Sequence, residues 1–202
     1  MQIHPYPAQR TLVLASTSPF RRTLLERLGL PFQTIAPQVD ETPLPGEAPP
    51  DLVVRLAEAK ARAGAVGLSD ALVIGSDQVA CLDGEILGKP GTRERAIAQL
   101  ERASGRCLSF HTGLGLLDAV TGVLELECIP FHVYFRNLTR SQIESYVDRE
   151  RPFNCAGSFK SEGLGIALFQ RLEGDDPTAL VGLPLIRLVD MLERAGMPVL
   201  AP

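Results

Sequence analysis

Short, nearly continuous apolar runs alternate along the chain with stretches whose apolar residues recur every three or four positions. That is the pattern of buried strands interleaved with amphipathic helices. Thr11–Ala15 is the first run. Ser18 and Pro19 follow as N-cap and first helical residue, Leu24, Leu25 and Leu28 form one stripe, and Gly29 is a stop. Gln33–Ala36 predicts a short second strand, and Asp51–Ala65 a helix with Leu52, Leu56, Ala59 and Ala63 on one face. Leu72–Val79 reads as a central buried strand that breaks at Gly75 and then shows Asp77. Ligands of α/β sheets gather at the carboxyl ends of strands, so Asp77 is either a site residue or a turn cap. Asp83-Gly84 between two apolar runs predicts a tight hairpin. Thr92–Ala103 predicts a helix with Ala96, Ile97 and Leu100 inward. Cys107–Leu117 and Val123–Phe135 predict a long antiparallel pair that reads as a second lobe. Thr139 and Gln142 form a capping-box pattern that opens a helix through about Asp148, and Leu183–Ala195 closes the chain as a last helix.

This alternation makes the fold class α/β. The 202 residues, 45% of them apolar, suffice for one domain, 1–202, with a sizeable core. A net charge of −4 and scattered positive residues argue against gripping nucleic acid. Met1–Arg10 contains two prolines and no apolar core, so it does not read as a signal peptide, and no apolar run reaches membrane-spanning length. The expected compartment is the cytoplasm. Cys81, Cys107, Cys128 and Cys155 form no C-x-x-C pair, so a structural zinc site is not expected. The first three lie in strand-like runs and read as small core residues.

Three loops carry candidate chemistry. Ser16-Thr-Ser-Pro-Phe-Arg-Arg22 sets hydroxyls, free helix N–H groups and Arg21 or Arg22 at one helix start, an anion site in outline. The stiff acidic loop from Pro37 to Pro50 offers Asp40 and Glu41, which read by default as solvated charges. Lys60, among small residues, either reaches across a close surface or is exposed. Gly88-Lys89-Pro90 lacks the spacing of a Walker A loop. Asn154–Gly165 is Gly-rich and polar, with Lys160 and Glu162 inside it, and lets backbone approach a ligand closely.

Taken in order, Leu14-Ala-Ser-Thr-Ser-Pro-Phe-Arg-Arg22, Val39-Asp-Glu-Thr42, Ala59-Lys-Ala61, Gly75-Ser-Asp77, Gly88-Lys-Pro90 and the late Gly-rich loop resemble the motifs of the Maf-like nucleotide pyrophosphatases. The resemblance runs from about Thr11 to Leu192. It implies an elongated, two-lobed fold around a twisted mixed sheet, like that of inosine triphosphatases, with a cleft between the lobes. It also implies hydrolysis of a nucleoside triphosphate to monophosphate and pyrophosphate with a divalent cation, Mg²⁺ or Mn²⁺. Asp77 matches the family's proton acceptor, and Ser16, Arg21, Glu41, Lys60 and Lys89 match its polar cleft positions. Phe20 after the Ser-Pro, Gln78 after the aspartate and Glu162 in the late loop look like the branch that acts on 7-methyl-GTP rather than on dTTP or UTP. That branch usually carries Trp where this chain carries Phe20.

On this resemblance Arg21, Lys60 and Lys89 serve the phosphates together with Ser16. Asp77 and Glu41 are the metal candidates, and Phe20, Gln78 and Glu162 choose the base. Whether Asp77 takes a proton, holds metal or does both is open from sequence. A non-catalytic nucleotide sensor linked to cell division, and another phosphohydrolase, stand as alternative readings, and a homodimer is open as the assembly. The expected partner is the nucleotide alone, with neither nucleic acid nor membrane.

Overall fold

The computed structural model describes residues 10–200, so the expectation for the N-terminal segment lies outside the described residues. Seven strands form one mixed sheet: β1 (Thr11–Ala15), β2 (Phe32–Ile35), β3 (Ala71–Leu82), β4 (Glu85–Leu87), β5 (Cys107–Asp118), β6 (Leu124–Phe135) and β7 (Phe169–Glu173). The order is β2-β1-β3-β5-β6-β7, with β4 pairing β3. β1 pairs β2 and β3 in parallel, and every other pair is antiparallel. Five α-helices flank the sheet: α1 (Pro19–Glu26), α2 (Pro49–Ala65), α3 (Arg93–Ala103), α4 (Arg140–Glu150) and α5 (Leu185–Arg194). None of these helices is long and apolar enough to cross a membrane.

The local signals set most boundaries. Ser18 Oγ accepts from Arg21 N at the start of α1, and Thr92 Oγ1 accepts from Arg95 N at the start of α3. Thr139 and Gln142 form the reciprocal capping box of α4. Asp83 and Gly84 both take positive φ, as a two-residue hairpin between twisted strands requires. α2 begins two residues earlier than expected, because prolines are tolerated in a first helical turn.

Two expectations are corrected. The central strand does not break at Gly75 but continues to Leu82, which puts Asp77 inside β3 rather than past its end. The β5–β6 pair is not a separate lobe's hairpin, because β5 also pairs with β3 from Leu72 to Cys81. One continuous sheet therefore serves both halves of the molecule. Three clusters cover it. α1 and α5 pack with Leu12, Leu14, Leu72, Ile74 and Leu114 on one face, and Val13, Ala15 and Val73 pack with Ala61 of α2 on the other. The far half is closed by α3, α4 and an aromatic group of Phe110, Phe135, Phe159 and Phe169, in edge-to-face contact at 4.8–5.7 Å. Cys81 is buried as expected, whereas Cys107 and Cys128 are only half-buried.

Glycine explains why β3 runs on through position 75. A Cβ at Gly75 would lie 2.1 Å from the Ala57 carbonyl and 2.6 Å from Ala61 N, and a Cβ at Gly113 would lie 2.1 Å from the Val53 carbonyl. α2 thus rests its backbone directly on β3 and β5. Its buried side is Val53, Leu56, Ala57, Lys60, Ala61 and Gly64, with Leu52 beside them, while Ala59 and Ala63 are half-exposed, a rotation from the expected face. We expect Gly75→Ala to lower stability by about 1–3 kcal/mol through overpacking. Urea unfolding against the parent protein measures it, and an unchanged midpoint would mean that α2 does not sit on this strand.

Candidate active site

The open stretch of β3 sets the site. On one edge β3 pairs with β1 up to Gly75 and with β4 only from Ala80 onward, so Ser76–Val79 has no strand neighbour there among the described residues. A cleft of about 800 Å³ fills this gap. It collects the end of β1, the start of α1, the acidic loop, α2, the turn after β4 and the loop from Arg151 to Glu162. All nine residues expected in the site line it: Ser16, Phe20, Arg21, Glu41, Lys60, Asp77, Gln78, Lys89 and Glu162.

Strand alternation divides the chemistry between two walls. Asp77 lies on the same face as Gly75, toward α2. Lys60 of α2 is 5% exposed, and its Nζ donates to Asp77 Oδ1 at 2.6 Å. The same ammonium lies 2.5 Å from Glu41 Oε1. Lys60 is therefore neither solvated nor idle, and Glu41 is not a plain loop charge. Its carboxyl is held below the usual range by the hydrogen bond from Lys60 and by the charges of Lys60, Lys89 and Arg21. The acidic loop is fixed by Arg55 of α2, which donates to both Glu47 oxygens at 2.5 and 2.8 Å and to the Thr42 carbonyl at 3.1 Å. That pairing pulls the Glu47 pKa down to about 2.

Ser76 and Gln78 face the opposite wall, a 3-10 turn at Pro177–Val181 followed by Gly182. Ser76 Oγ donates to the Gly182 carbonyl at 2.9 Å, and Arg21 Nε donates to the same oxygen at 2.8 Å. Arg21 Nη1 also lies 3.5 Å from Ser16 Oγ, which accepts from Ser18 N at 3.1 Å. Desolvation lowers the Arg21 pKa, opposed by the charges of Asp77 and Glu41. Gln78 Nε2 donates to Ala179 O at 2.6 Å, Thr112 Oγ1 at 3.0 Å and Leu180 O at 3.3 Å. Two of these partners are carbonyls, which fixes the amide orientation. Toward the cleft Gln78 is therefore an acceptor, because its donors are already committed. Phe20 is half-buried and lines the cleft rather than any core cluster. Lys89 and Glu162 are exposed on its rim.

Sequence reasoning missed the residue that holds this second wall. Asp176 is fully buried. Its Oδ1 accepts from Thr178 N and Thr178 Oγ1 at 3.0 and 2.6 Å, and its Oδ2 from Ile186 N and Arg187 N at 2.8 and 3.4 Å. One carboxylate thereby caps both the turn and α5. The Asp-Pro pair at 176–177 repeats the cap-and-proline signal of Ser18-Pro19 and was the clue available. β7 was missed as well, because Phe169–Glu173 is exposed after its first residue and shows no alternation. Arg151, Asn154 and Lys160 also line the cleft.

Among the described residues no group of three or more His, Cys, Asp and Glu side chains forms a closed cage. Asp77 Oδ2 and Glu41 Oε2 carry no protein hydrogen bond among the described residues. Two carboxylates opening on a cleft fit Mg²⁺, which binds through one or two carboxylates and completes its shell with water and substrate phosphate.

Lys60 and Asp77 are a desolvated pair, and removing one partner of such a pair strands the other charge. We expect Lys60→Met to destabilise the fold by about 3 kcal/mol at neutral pH. Urea unfolding against the parent protein measures it, and an unchanged midpoint would mean that the pair is not desolvated in the folded protein.

Comparison with known proteins agrees with the motifs. The sequence profile of the family described as "Maf-like protein" matches residues 11–195. The chain is 61% identical over 196 residues to the 7-methyl-GTP pyrophosphatase of Nitrosococcus oceani, covering 97% of this chain and 98% of that protein. It is 60% identical over 186 residues to the protein of that name from Aromatoleum aromaticum, covering 92% and 96%. It is 56% identical over 192 residues to that from Aliivibrio fischeri, covering 95% and 100%. Among solved structures it is similar to the Staphylococcus aureus Ham1 protein at a TM-score of 0.46 and 17% identity, over 63% of this chain and 73% of that one.

Proposed function

The chain belongs to the Maf-like family, and on that premise we propose that it hydrolyses 7-methyl-GTP to 7-methyl-GMP and pyrophosphate. The observation that carries the chemistry is the convergence of Lys60, Asp77 and Glu41 in a cleft that Arg21 and Lys89 also line. The relatives' shared name supports the choice of nucleotide. The nucleotide is the partner, the cytoplasm the site of action.

Release of pyrophosphate requires water to attack the α-phosphorus. Such transfers are governed by positioning and by neutralising charge. Arg21, braced on the Gly182 carbonyl, and Lys89, on its short turn, meet the phosphates. Ser16 orients Arg21 from behind. Asp77 accepts the proton of the attacking water through Oδ2, the oxygen that Lys60 leaves free. Lys60 holds Asp77 in place. Asp77 and Glu41 are the residues that would hold Mg²⁺ or Mn²⁺; such an ion, when bound, supplies phosphate neutralisation and Lewis acidity toward water. At the base, Phe20 offers an aromatic face, Glu162 a carboxylate and Gln78 a fixed acceptor. N7-methylation gives guanine a positive charge at neutral pH, until N1 loses its proton. A cation over an aromatic face gains roughly 0.5–2 kcal/mol, and a carboxylate pairs better with the charged ring.

Asp77→Asn keeps the shape and removes the basicity. We expect turnover to fall ~10²–10⁴-fold, read as pyrophosphate release by a protein whose far-ultraviolet circular dichroism is unchanged. A folded variant with most of its turnover would remove Asp77 from the proton transfer.

Substrate choice is tested by kcat/KM for 7-methyl-GTP, GTP, dTTP and UTP with pyrophosphate detection, with and without a chelator. We expect 7-methyl-GTP to be preferred and chelation to stop the reaction. Phe20→Trp should keep or sharpen the preference, and Glu162→Ala should weaken it. Equal values for 7-methyl-GTP and GTP would overturn the base assignment and leave the pyrophosphatase chemistry standing. Release of orthophosphate in place of pyrophosphate would overturn that chemistry.

A further inference from the structure

We propose that Gln99 is a positioning residue that couples the phosphate end of the cleft to its base end, a proposal that rests on the nucleotide assignment above. Gln99 belongs to α3 and does not line the cleft. Its Nε2 donates to the Gly88 carbonyl at 3.0 Å, and its Oε1 accepts from Ser158 Oγ at 2.5 Å. Gly88 immediately precedes Lys89, and Ser158 stands in the loop that carries Lys160 and Glu162. One side chain, reached by no substrate, thus ties the turn of a phosphate cation to the loop of a base-reading carboxylate.

The Ser158 end of this tie is under strain. Ser158 is fully buried and has φ +61, a left-handed conformation unusual for a residue with a Cβ. Such a residue persists where its surroundings over-determine it. Gly157 before it is also left-handed, and a Cβ there would lie 2.8 Å from Leu108 Cδ2. Phe159 after it is locked among Phe110, Phe135 and Phe169. The Ser158 hydroxyl has Gln99 as its one side-chain partner among the described residues, and a buried hydroxyl without a partner is unfavourable. Gln99 therefore ties the middle of the loop to α3 and the Gly88 turn, while α4 holds its second half, where Lys160 N donates to Tyr146 Oη at 3.0 Å and Lys160 Nζ to the Glu150 carbonyl at 2.8 Å. The loop's start is held separately, by Gly91 N donating to the Phe153 carbonyl at 2.9 Å. Removing the Gln99 amide uncouples residues 157–163 from the Gly88–Lys89 turn while leaving the loop's entry and its anchor on α4 in place.

The variant is Gln99→Met, which keeps the length of the side chain and deletes both hydrogen bonds. The direct readout is amide hydrogen exchange with pyrophosphate as the ligand, which carries no base. In the parent protein pyrophosphate should slow exchange at residues 88–91 and, through Gln99, at 157–163. In Gln99→Met the protection should remain at 88–91 and disappear at 157–163. KM for 7-methyl-GTP should rise about tenfold, the scale of one lost hydrogen bond, with kcat little changed. A purely structural role would lower the melting temperature without this split. Protection of 157–163 that is equal in both proteins, or absent from the parent while 88–91 is protected, overturns the coupling and leaves the nucleotide assignment standing. Protection at neither segment in the parent overturns the phosphate assignment, and the proposal falls with it.

Discussion

The site depends on the contact between the backbone of α2 and the backbones of β3 and β5. An ordinary side chain at position 75 or 113 would push the helix off the sheet. With glycine at both positions the helix comes close enough that Lys60, one turn beyond Ala57, reaches Asp77 on the adjacent strand. Burying an ammonium and a carboxylate is favourable only when geometry and further hydrogen bonds offset their desolvation. Here the offset comes from the short Lys60–Asp77 contact and from Glu41, brought in by the Arg55-clamped loop. The glycines thus fix the distance, and the distance makes a charged cluster tolerable inside a protein.

β3 then serves two walls because side chains alternate along it. Positions 75 and 77 belong to the α2 wall, and positions 76 and 78 to the turn at Pro177–Val181. The second wall is made of carbonyl oxygens, those of Ala179, Leu180 and Gly182, and carbonyls aim only as well as the turn that carries them. Asp176 supplies that rigidity by accepting four hydrogen bonds in a fully buried position. A buried carboxylate satisfied by donors on the turn and on α5 locks the two together. The orientation of Gln78 and the bracing of Arg21 follow from a residue that touches neither.

Local signals were legible and long-range ones were not. The caps at Ser18 and Thr139 and the hairpin at Asp83-Gly84 satisfy backbone groups within a few residues, so they could be read in sequence and are present in the structure. Gly75 was read as a strand end because glycine in an apolar run is ambiguous between a turn and a close approach. Only the position of α2 decides between them. The inner face of α2 was misjudged for the same reason: a helix resting on glycine buries Lys60 beside its alanines, which no hydrophobic stripe announces. The nine site residues were found through family motifs, and their convergence is a property of the topology, which leaves one edge of β3 without a strand neighbour from Ser76 to Val79 among the described residues.

The charges of the cleft suit a ligand that is itself divided in charge. Arg21, Lys60 and Lys89 all act on Glu41, so the acidic loop, α2 and the turn after β4 form a neighbourhood in which cations outnumber the carboxylates Asp77 and Glu41. A triphosphate fits there. Glu162 is contributed by a different loop, and Gln78 adds an acceptor whose donors are spent on the wall behind it. Acceptors of this kind favour a ring that carries positive charge and offers N–H groups along one edge, and they gain less from a neutral ring. On the proposed assignment, methylation at N7 is thus read without a contact to the methyl group itself. On that assignment the charge that methylation places on the base is what distinguishes it, and Phe20, which lines the cleft, is the aromatic face available to that charge.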